Sequence, residues 1–470
     1  MKSKKVKVLK FGGGCLKSAN DFLTISAILR EEKNFSPVVI VSALFDVTNF
    51  LLQLFEDIRE ERVLLSHKLE KIYNYHLTIV QSLNINEDEK SQIIQEIDNL
   101  TKLLKAQIEI ILEQHLFDES SRASVICFGE RYSAIILSYY LTAVKIPAKA
   151  YFSEDCGLVA QKVSTQSIID KKSFNAKFSL IRKKFLEDNR VPVITGFYGI
   201  TRDNKITTFG RNGSDYTAAI IASGFNAAVL EFWKDSDGFL SADPKVVQNP
   251  LPLKILSFEE VEELTYYGAK ILHPKTIETV RKLSTEVRIK SFYKPSMPGT
   301  IISHKKNENS LKSITYNDDI TIIRIYQKSN TGKSNTLSAR LNKFQAKGTD
   351  IISSLVALKN AILIVSKKNM PMVINKISDS FPESNYVIEV KKDVSLIAVV
   401  GMGLIEPGAF FEQILKTFSK KGIRLECITS GISSLTTVFI VNKKMATSAI
   451  NELHCELFSE TSALSNTLKL

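Results

Sequence analysis

Cysteine is scarce and unpatterned in this chain of 470 residues. The five thiols, Cys15, Cys127, Cys156, Cys427 and Cys455, form no Cys-x-x-Cys pair, and the six histidines show no metal-ligand spacing. A disulfide framework is excluded and a structural zinc site is not expected. No apolar run nears the ~20 residues of a membrane helix. A secretory leader is not expected either: Met1-Lys2-Ser3-Lys4-Lys5 is basic, but residues 6–11 carry Lys7 and Lys10 where an apolar stretch would be needed. Clustered positive charge is also missing. The net charge is +12, yet the lysines are dispersed and no basic cluster is interleaved with aromatics, so neither nucleic acid nor a membrane is an expected partner. A lysine-rich surface does draw anionic small molecules. The expectation is a cytoplasmic protein with free thiols.

What the chain does have is length and alternation. With 44% hydrophobic residues in 470, it can bury two or three cores. Residues 6–11 predict a strand, then a glycine turn, then a helix over 19–30. Residues 37–43 predict a buried strand by their β-branched content. The span 51–114 has helical periodicity broken near Asn84-Ile85-Asn86, read as a helical excursion packed on a sheet or as a coiled coil. Short strands are predicted at 123–127, 191–195 and 227–232, with a helix over 131–141. Strands alternating with helices predict a mainly parallel α/β sheet with helices on both faces, whose ligands bind at the carboxyl ends of the strands. A polar linker is predicted at 304–315. Beyond it, strands at 321–326, 361–366, 394–401 and 436–441 alternate with helices at 338–347, 407–421 and 446–453, two small α+β modules in a weak repeat.

The chemistry sits on turns. Phe209-Gly210-Arg211-Asn212-Gly213-Ser214-Asp215 opens a helix, where free backbone N–H groups suit an anion. Arg211 can fork onto a carboxylate or phosphate, and Asp215 can hold a lysine or a metal. Lys10 precedes the Gly12-Gly13-Gly14 turn, which lets backbone approach a phosphate. Glu130 is either a first-turn helix acid or an acceptor for a substrate ammonium. Ser42 and Thr48 either cap a helix or bind a carboxylate. The block 233–245 brings Asp235, Asp237 and Asp243 for ribose or a solvated metal, and Lys245 for phosphate; Lys270 adds a cation. His273 reads as a packed loop histidine. Anion cradles, cations and a few acids, with no Ser–His pair or activated cysteine, suit phosphoryl transfer better than hydrolysis.

These motifs resemble those of the aspartokinases of the amino-acid kinase superfamily over essentially the whole chain. Lys10-Phe11-Gly12-Gly13, Val41-Ser42-Ala43 with Val47-Thr48, Gly129-Glu130 with Ser133-Ala134, Gly196-Phe197 with Gly210-Arg211-x-Gly213-Ser214-Asp215, Asp235-x-Asp237-Gly238 with Asp243-Pro244, and Gly268-Ala269-Lys270-x-Leu272-His273-Pro274 stand in the family's order. The resemblance implies a kinase domain over 1–303, the linker, and two regulatory ACT domains over 316–392 and 393–470, the C-terminal end pairing back with the first. It implies ATP- and Mg²⁺-dependent phosphorylation of the β-carboxylate of L-aspartate, at the entry to lysine, threonine and methionine synthesis, by a homodimer or higher oligomer. Lys10 and Asp215 would be catalytic. Ser42, Thr48, Glu130, Phe197, Arg211 and Ser214 would bind the substrate. Lys10, Gly12, Gly13, Lys234, Asp235, Leu240, Lys245 and Lys270 would bind ATP.

The chain also departs from the family. Gly14-Cys15 replaces Thr-Ser, Asn212 replaces a glycine, Lys234 a threonine and Lys245 an arginine. If position 212 needs positive φ, Asn is the least costly substitute. Asn335 stands where a glycine is common, the segment 353–359 lacks an acid, and Gly431-Ile432-Ser433-Ser434-Leu435-Thr436 lacks the family's Glu and Asn. Weakened feedback by an amino-acid effector is therefore expected. Two alternatives remain at this stage: a paralogous kinase for a related amino dicarboxylate, and a catalytically impaired regulatory subunit.

Overall fold

The computed structural model describes residues 4–60, 65–269, 271–304, 310–328, 337–346, 351–381, 383–401, 404 and 410–458. These divide into two compact units.

The first unit comprises Met1–Phe239, Pro252–Phe258 and Lys270–Lys306. Its chain runs β1 (Lys5–Phe11), α1 (Ala19–Glu31), β2 (Phe35–Val41), α2 (Val47–Arg59), α3 (Leu65–Gln81), α4 (Glu87–Gln114), α5 (Glu119–Ile126), α6 (Phe128–Ala143) and β3 (Ala148–Tyr151). It continues through α7 (Lys171–Glu187), β4 (Val191–Thr195), the hairpin β5 (Tyr198–Ile200) and β6 (Ile206–Thr208), α8 (Gly213–Phe225) and β7 (Val229–Lys234). Then come β8 (Ile255–Ser257), α10 (Pro274–Arg281), β9 (Glu286–Ser291) and β10 (Thr300–Ser303); the intervening α9 (Phe258–Tyr267) belongs, from Glu259 on, to the second unit. The main sheet has the order β3-β4-β2-β1-β7-β9-β10-β8 and is parallel except between β9 and β10. Val8, Leu9, Val39 and Ile40 are fully buried, as strands covered on both faces require.

The helical excursion is real and breaks where Asn84-Ile85-Asn86 predicts. Asn86 caps α4 through Glu89 N–H at 2.8 Å, and the Glu89 carboxylate accepts from Asn86 N–H, a capping box. One stripe of α4, Ile93, Ile97, Leu100, Leu104, Ile108 and Ile111, is buried in the same core as α2, α3 and α6. The strand predicted at 123–127 is wrong: those residues lie in α5 and its end. A short apolar run does not reveal its period, and here the Asp118 side chain accepts from Ser121 N–H at 2.8 Å and starts a helix.

The second unit comprises Leu240–Leu251, Glu259–Ala269 and Asn307–Leu470. It contains β11 (Leu311–Gln327), α11 (Leu337–Ala346), β12 (Ser353–Val356), β13 (Asn360–Ser366), α12 (Met370–Ser380), β14 (Tyr386–Gly401), α13 (Phe410–Lys420), β15 (Leu425–Thr429), β16 (Thr436–Asn442) and α14 (Lys443–Phe458). One antiparallel sheet holds all six strands in the order β12-β13-β11-β14-β16-β15. The repeat is plain: each half is βαββα with the same strand order, and the long first strands β11 and β14 join them. The division placed at 392/393 falls inside continuous β14. The linker expected up to residue 315 is strand from Leu311 on, because pairing with β14 orders a polar stretch. Residues 240–251 and 259–269, expected in the kinase domain, also belong here. Ala242 and Val247 are buried in one core with Ile314, Ile397 and Leu453. Asn335, Pro407 and the C-terminal end expected to pair back lie outside the described residues.

Truncation on the two faces of α4 tests the amphipathic reading. Ile97→Ala, at a fully buried position, should destabilise by about 2–5 kcal/mol. Leu103→Ala, at a position 58% exposed, should shift the thermal midpoint little. Equal shifts would show that the buried stripe does not anchor the excursion.

Candidate active site

The carboxyl ends of β1, β2, β4 and β7 converge on one cavity of about 600 Å³. The ladder carries on past the strand ends: Ser42 N–H donates to Phe11 O at 3.2 Å and Gly196 N–H to Val41 O at 2.9 Å. The cavity is lined by the glycine turn Gly12–Gly14 with Cys15 after β1, the 42–49 segment after β2, Phe197 after β4, the 210–214 turn before α8, Glu130 on α6, and Lys234 and Asp235 at the end of β7.

At its floor lies a buried ionic trio. Asp215, in the first turn of α8, is fully buried, and its Oδ1 is 2.7 Å from Lys10 Nζ while its Oδ2 is 2.6 Å from Lys234 Nζ. Burial alone would raise the Asp215 carboxyl, but Lys10 and Lys234 outweigh it and hold it below the ordinary value. Burial likewise lowers Lys234, and Asp215 opposes that shift. Two cations on one carboxylate leave one formal positive charge facing the cavity. Gly12 keeps that charge open, since a Cβ there would sit 3.2 Å from Lys10 Nζ. Gly13 packs as closely, its ideal Cβ falling 3.1 Å from Ala43 O.

Glu130 faces the trio across the cavity. The start of α6 presses on the β2 loop at Gly129, where a Cβ would meet Ala43 Cβ at 2.8 Å. That approach lets Ala43 N–H donate to Glu130 Oε1 at 3.1 Å. The other oxygen, Oε2, is buried with no hydrogen-bond partner. Burial pushes the carboxyl up to about 8; the bond from Ala43 and the charge of Lys10 only moderate this. Arg211 is exposed on the rim.

The structure therefore gathers Lys10, Gly12, Gly13, Ser42, Thr48, Glu130, Phe197, Arg211, Ser214, Lys234 and Asp235 around one space, with Asp215 beneath. Leu240 and Lys245 are not among its lining residues; they belong to the second unit. Lys270 lies outside the described residues. Glu130 stands in the first turn of α6, as one of its two readings expected. Asn212 does take positive φ, 58°, just before α8. Cys15 is buried, with its thiol 3.4 Å from Trp233 O, and burial raises it to about 12, so it packs as a neutral thiol. Gly14 lets the Asp235 carboxylate come close, since a Cβ would lie 2.6 Å from its Oδ2. Sequence reasoning passed over Asp46 and Asn49, which line the cavity and join through Asn49 Nδ2 to Asp46 Oδ1 at 2.6 Å; their place beside Val47-Thr48 was the available signal. His273 caps α10 by accepting from Lys275 N–H at 3.2 Å.

The model of the amino acid kinase family matches residues 5–291. The chain belongs to the amino acid kinase family. Among its relatives is Aspartokinase 1, chloroplastic, of Arabidopsis thaliana, 28% identical over 462 residues that cover 96% of this chain and 80% of that protein. Aspartokinase 2, chloroplastic, of the same plant is 27% identical over 464 residues, covering 96% and 84%. The fold is similar to that of E. coli aspartokinase III in complex with aspartate and ADP, with a TM-score of 0.82 and 20% identity over 97% of this chain and 100% of that one. Clostridium acetobutylicum aspartate kinase gives a TM-score of 0.74 at 25% identity, covering 96% and 100%. In amino acid kinase terms, the matched span covers every residue of the cavity. No helix among the described residues is long and apolar enough to cross a membrane.

The raised Glu130 carboxyl has a thermodynamic signature. In the unfolded chain it ionises near its ordinary value of 4.5, in the folded protein near 8. The folded state thus holds the extra proton between those values, and stability falls as pH rises through that window. Glu130→Gln should gain stability relative to the parent between pH 5 and pH 8, the difference in thermal midpoint growing by at least about 3 °C. A difference that does not vary with pH would contradict the shift.

Proposed function

We propose that this protein is an aspartate kinase, which transfers the γ-phosphoryl group of ATP to the β-carboxylate of L-aspartate and forms 4-phospho-L-aspartate and ADP. The observation that carries the reading is the pairing, in one cavity, of a surplus cation at Lys10 and Lys234 with an unpartnered buried carboxyl oxygen on Glu130. An α-amino dicarboxylate needs both signs. Glu130, which gives up its proton as the cation arrives, takes the α-ammonium, Arg211 forks onto the α-carboxylate, and Ser42, Thr48 and Ser214 supply hydroxyls around the rest. Its similarity to aspartokinases over nearly the whole chain supports the same substrate.

The chemistry asks mainly for position and charge. A carboxylate oxygen of aspartate forms a bond to the γ-phosphorus as the bond to the bridging oxygen breaks and leaves with ADP. Lys10, aimed by Asp215, neutralises charge on the group in transit. Lys234 shares Asp215 and holds the same region positive. Glycine at 12 and 13 leaves backbone and Lys10 open to phosphate oxygens, which fits a nucleotide. Magnesium, when bound, neutralises phosphate charge; Asp235 is the carboxylate here that would hold it together with the nucleotide, as this ion usually binds. The five free thiols suit a reducing cytoplasm, and the antiparallel modules suit a homodimer.

Trapping with hydroxylamine tests the reading. With ATP and Mg²⁺, hydroxamate should form with L-aspartate and not with glutamate or N-acetylglutamate. Lys10→Ala should lower turnover about a hundred-fold or more while the protein stays folded. Product with another acid would favour the paralogous kinase, and no product at all the impaired subunit.

We further propose weakened feedback. The segment 431–436 lacks the family's Glu and Asn, and Ile432 stands 75% exposed there. Saturating lysine and threonine, alone and together, should leave the rate nearly unchanged; strong inhibition would refute this.

A further inference from the structure

Outside the cavity, one partly buried cluster of functional groups adjoins the site without taking part in the chemistry above. Arg131 on α6, Glu154 in the turn after β3, and Tyr198 at the start of β5 form a closed ring. Arg131 Nη2 is 2.6 Å from Glu154 Oε1, Arg131 Nε donates to the Tyr198 hydroxyl at 3.2 Å, and that hydroxyl donates to Glu154 Oε2 at 2.9 Å. The guanidinium also lies 4.9 Å from the Phe128 ring centroid and 5.2 Å from that of Phe152. Tyr198 is fully buried. Such a ring satisfies all three members at once, and removing one strands the others.

Two members of the ring adjoin cavity residues in sequence. Arg131 follows Glu130, whose Oε2 is the buried carboxyl oxygen without a partner. Successive residues on a helix point about 100° apart, so pinning Arg131 sets the rotation of the first turn and hence the direction of Glu130. Tyr198 follows Phe197, which holds a φ of 75°. A bulky residue adopts that conformation only when its surroundings impose it. The constraints are visible: Tyr198 hangs in the ring, Phe209 N–H donates to Phe197 O at 2.8 Å, and a Cβ on Gly213 would lie 3.0 Å from that oxygen. Gly213 begins α8, which carries Ser214 and Asp215. The turn that bears Glu154 is itself tied to β4, since the Ser153 hydroxyl donates to Thr195 O at 3.0 Å.

We propose that the Arg131–Glu154–Tyr198 ring is the positioning device of the amino-acid half of the site, fixing Glu130 and Phe197 together so that the substrate ammonium is met by a preset carboxylate. The inference rests on the functional reading above. None of the three residues lines the cavity; they act through their neighbours, and binding of the nucleotide does not depend on them.

Steady-state kinetics of Tyr198→Phe, Glu154→Ala and Glu154→Gln decide the matter. Tyr198→Phe removes the hydroxyl that links Arg131 and Glu154 and keeps the aromatic side chain. It and Glu154→Ala should raise KM for L-aspartate about ten-fold, with KM for ATP within about two-fold of the parent. Glu154→Gln, which keeps size and an acceptor oxygen, should recover part of the loss. If Glu154→Ala does not fold, Tyr198→Phe carries the test alone. A parent protein that does not turn over L-aspartate overturns the functional reading and this inference with it. An active parent whose variants keep a normal KM for aspartate, or lose kcat with both KM values unchanged, overturns the inference alone.

Discussion

A buried carboxylate has to be matched by charge, and Asp215 is matched by lysines from two different strands. Lys10 ends its reach from β1 and Lys234 from β7, neighbours in the sheet. Either lysine alone would leave one carboxylate oxygen stranded in a dry environment, a large cost. The pairing therefore fixes the ends of β1 and β7 and the first turn of α8 relative to one another. The glycine turn, the 210–214 turn and Asp235 all extend from those three elements. The same arrangement places lysine nitrogens, not the acid, toward the open space, so the trio organises the floor and leaves a cation for an anionic ligand.

Close backbone approaches do the rest. Gly129 brings α6 onto the β2 loop, and that contact supplies the single hydrogen bond that Glu130 receives from Ala43. The departures from family pattern fit this packing rather than disturb it. Asn212 occupies a left-handed position that suits its short polar side chain. Cys15 points its thiol at a backbone carbonyl beneath the turn. Gly14 and Asp235 share a space in which a side chain at 14 would make the carboxylate swing aside.

Most of the α/β core was legible because its strands are continuous β-branched runs bounded by turn residues, as at 37–43 and 191–195. The cavity was legible because its residues cluster at glycine turns after those strands. What misled the reading was pattern without partner. Residues 123–127 are apolar enough for a strand, but Asp118 and Ser121 decide for a helix. Residues 311–315 look like linker, and only pairing with a distant strand makes them part of a sheet. The ring of Arg131, Glu154 and Tyr198 left no trace in composition, since its members are far apart in sequence and each is unremarkable alone. Leu240 and Lys245 followed the motif in sequence, while the chain there passes into the other unit.

That passage shapes how the protein comes into being. The stretch from Leu240 to Leu251 belongs with strands and helices made much later: Ser241 Oγ meets His454 Nε2 at 2.7 Å, and Asn451 Nδ2 donates to Val246 O at 2.9 Å. On the ribosome, where synthesis runs from the N-terminus, these residues emerge about 200 positions ahead of α14, their eventual partner. Ala242 and Val247 share their core with Ile314 and Ile397 as well as Leu453, so their apolar surface is fully covered only when α14 has been made. The first unit thus has all its residues once Lys306 has been added, whereas the second, begun at Leu240, is completed only with the last helix of the chain.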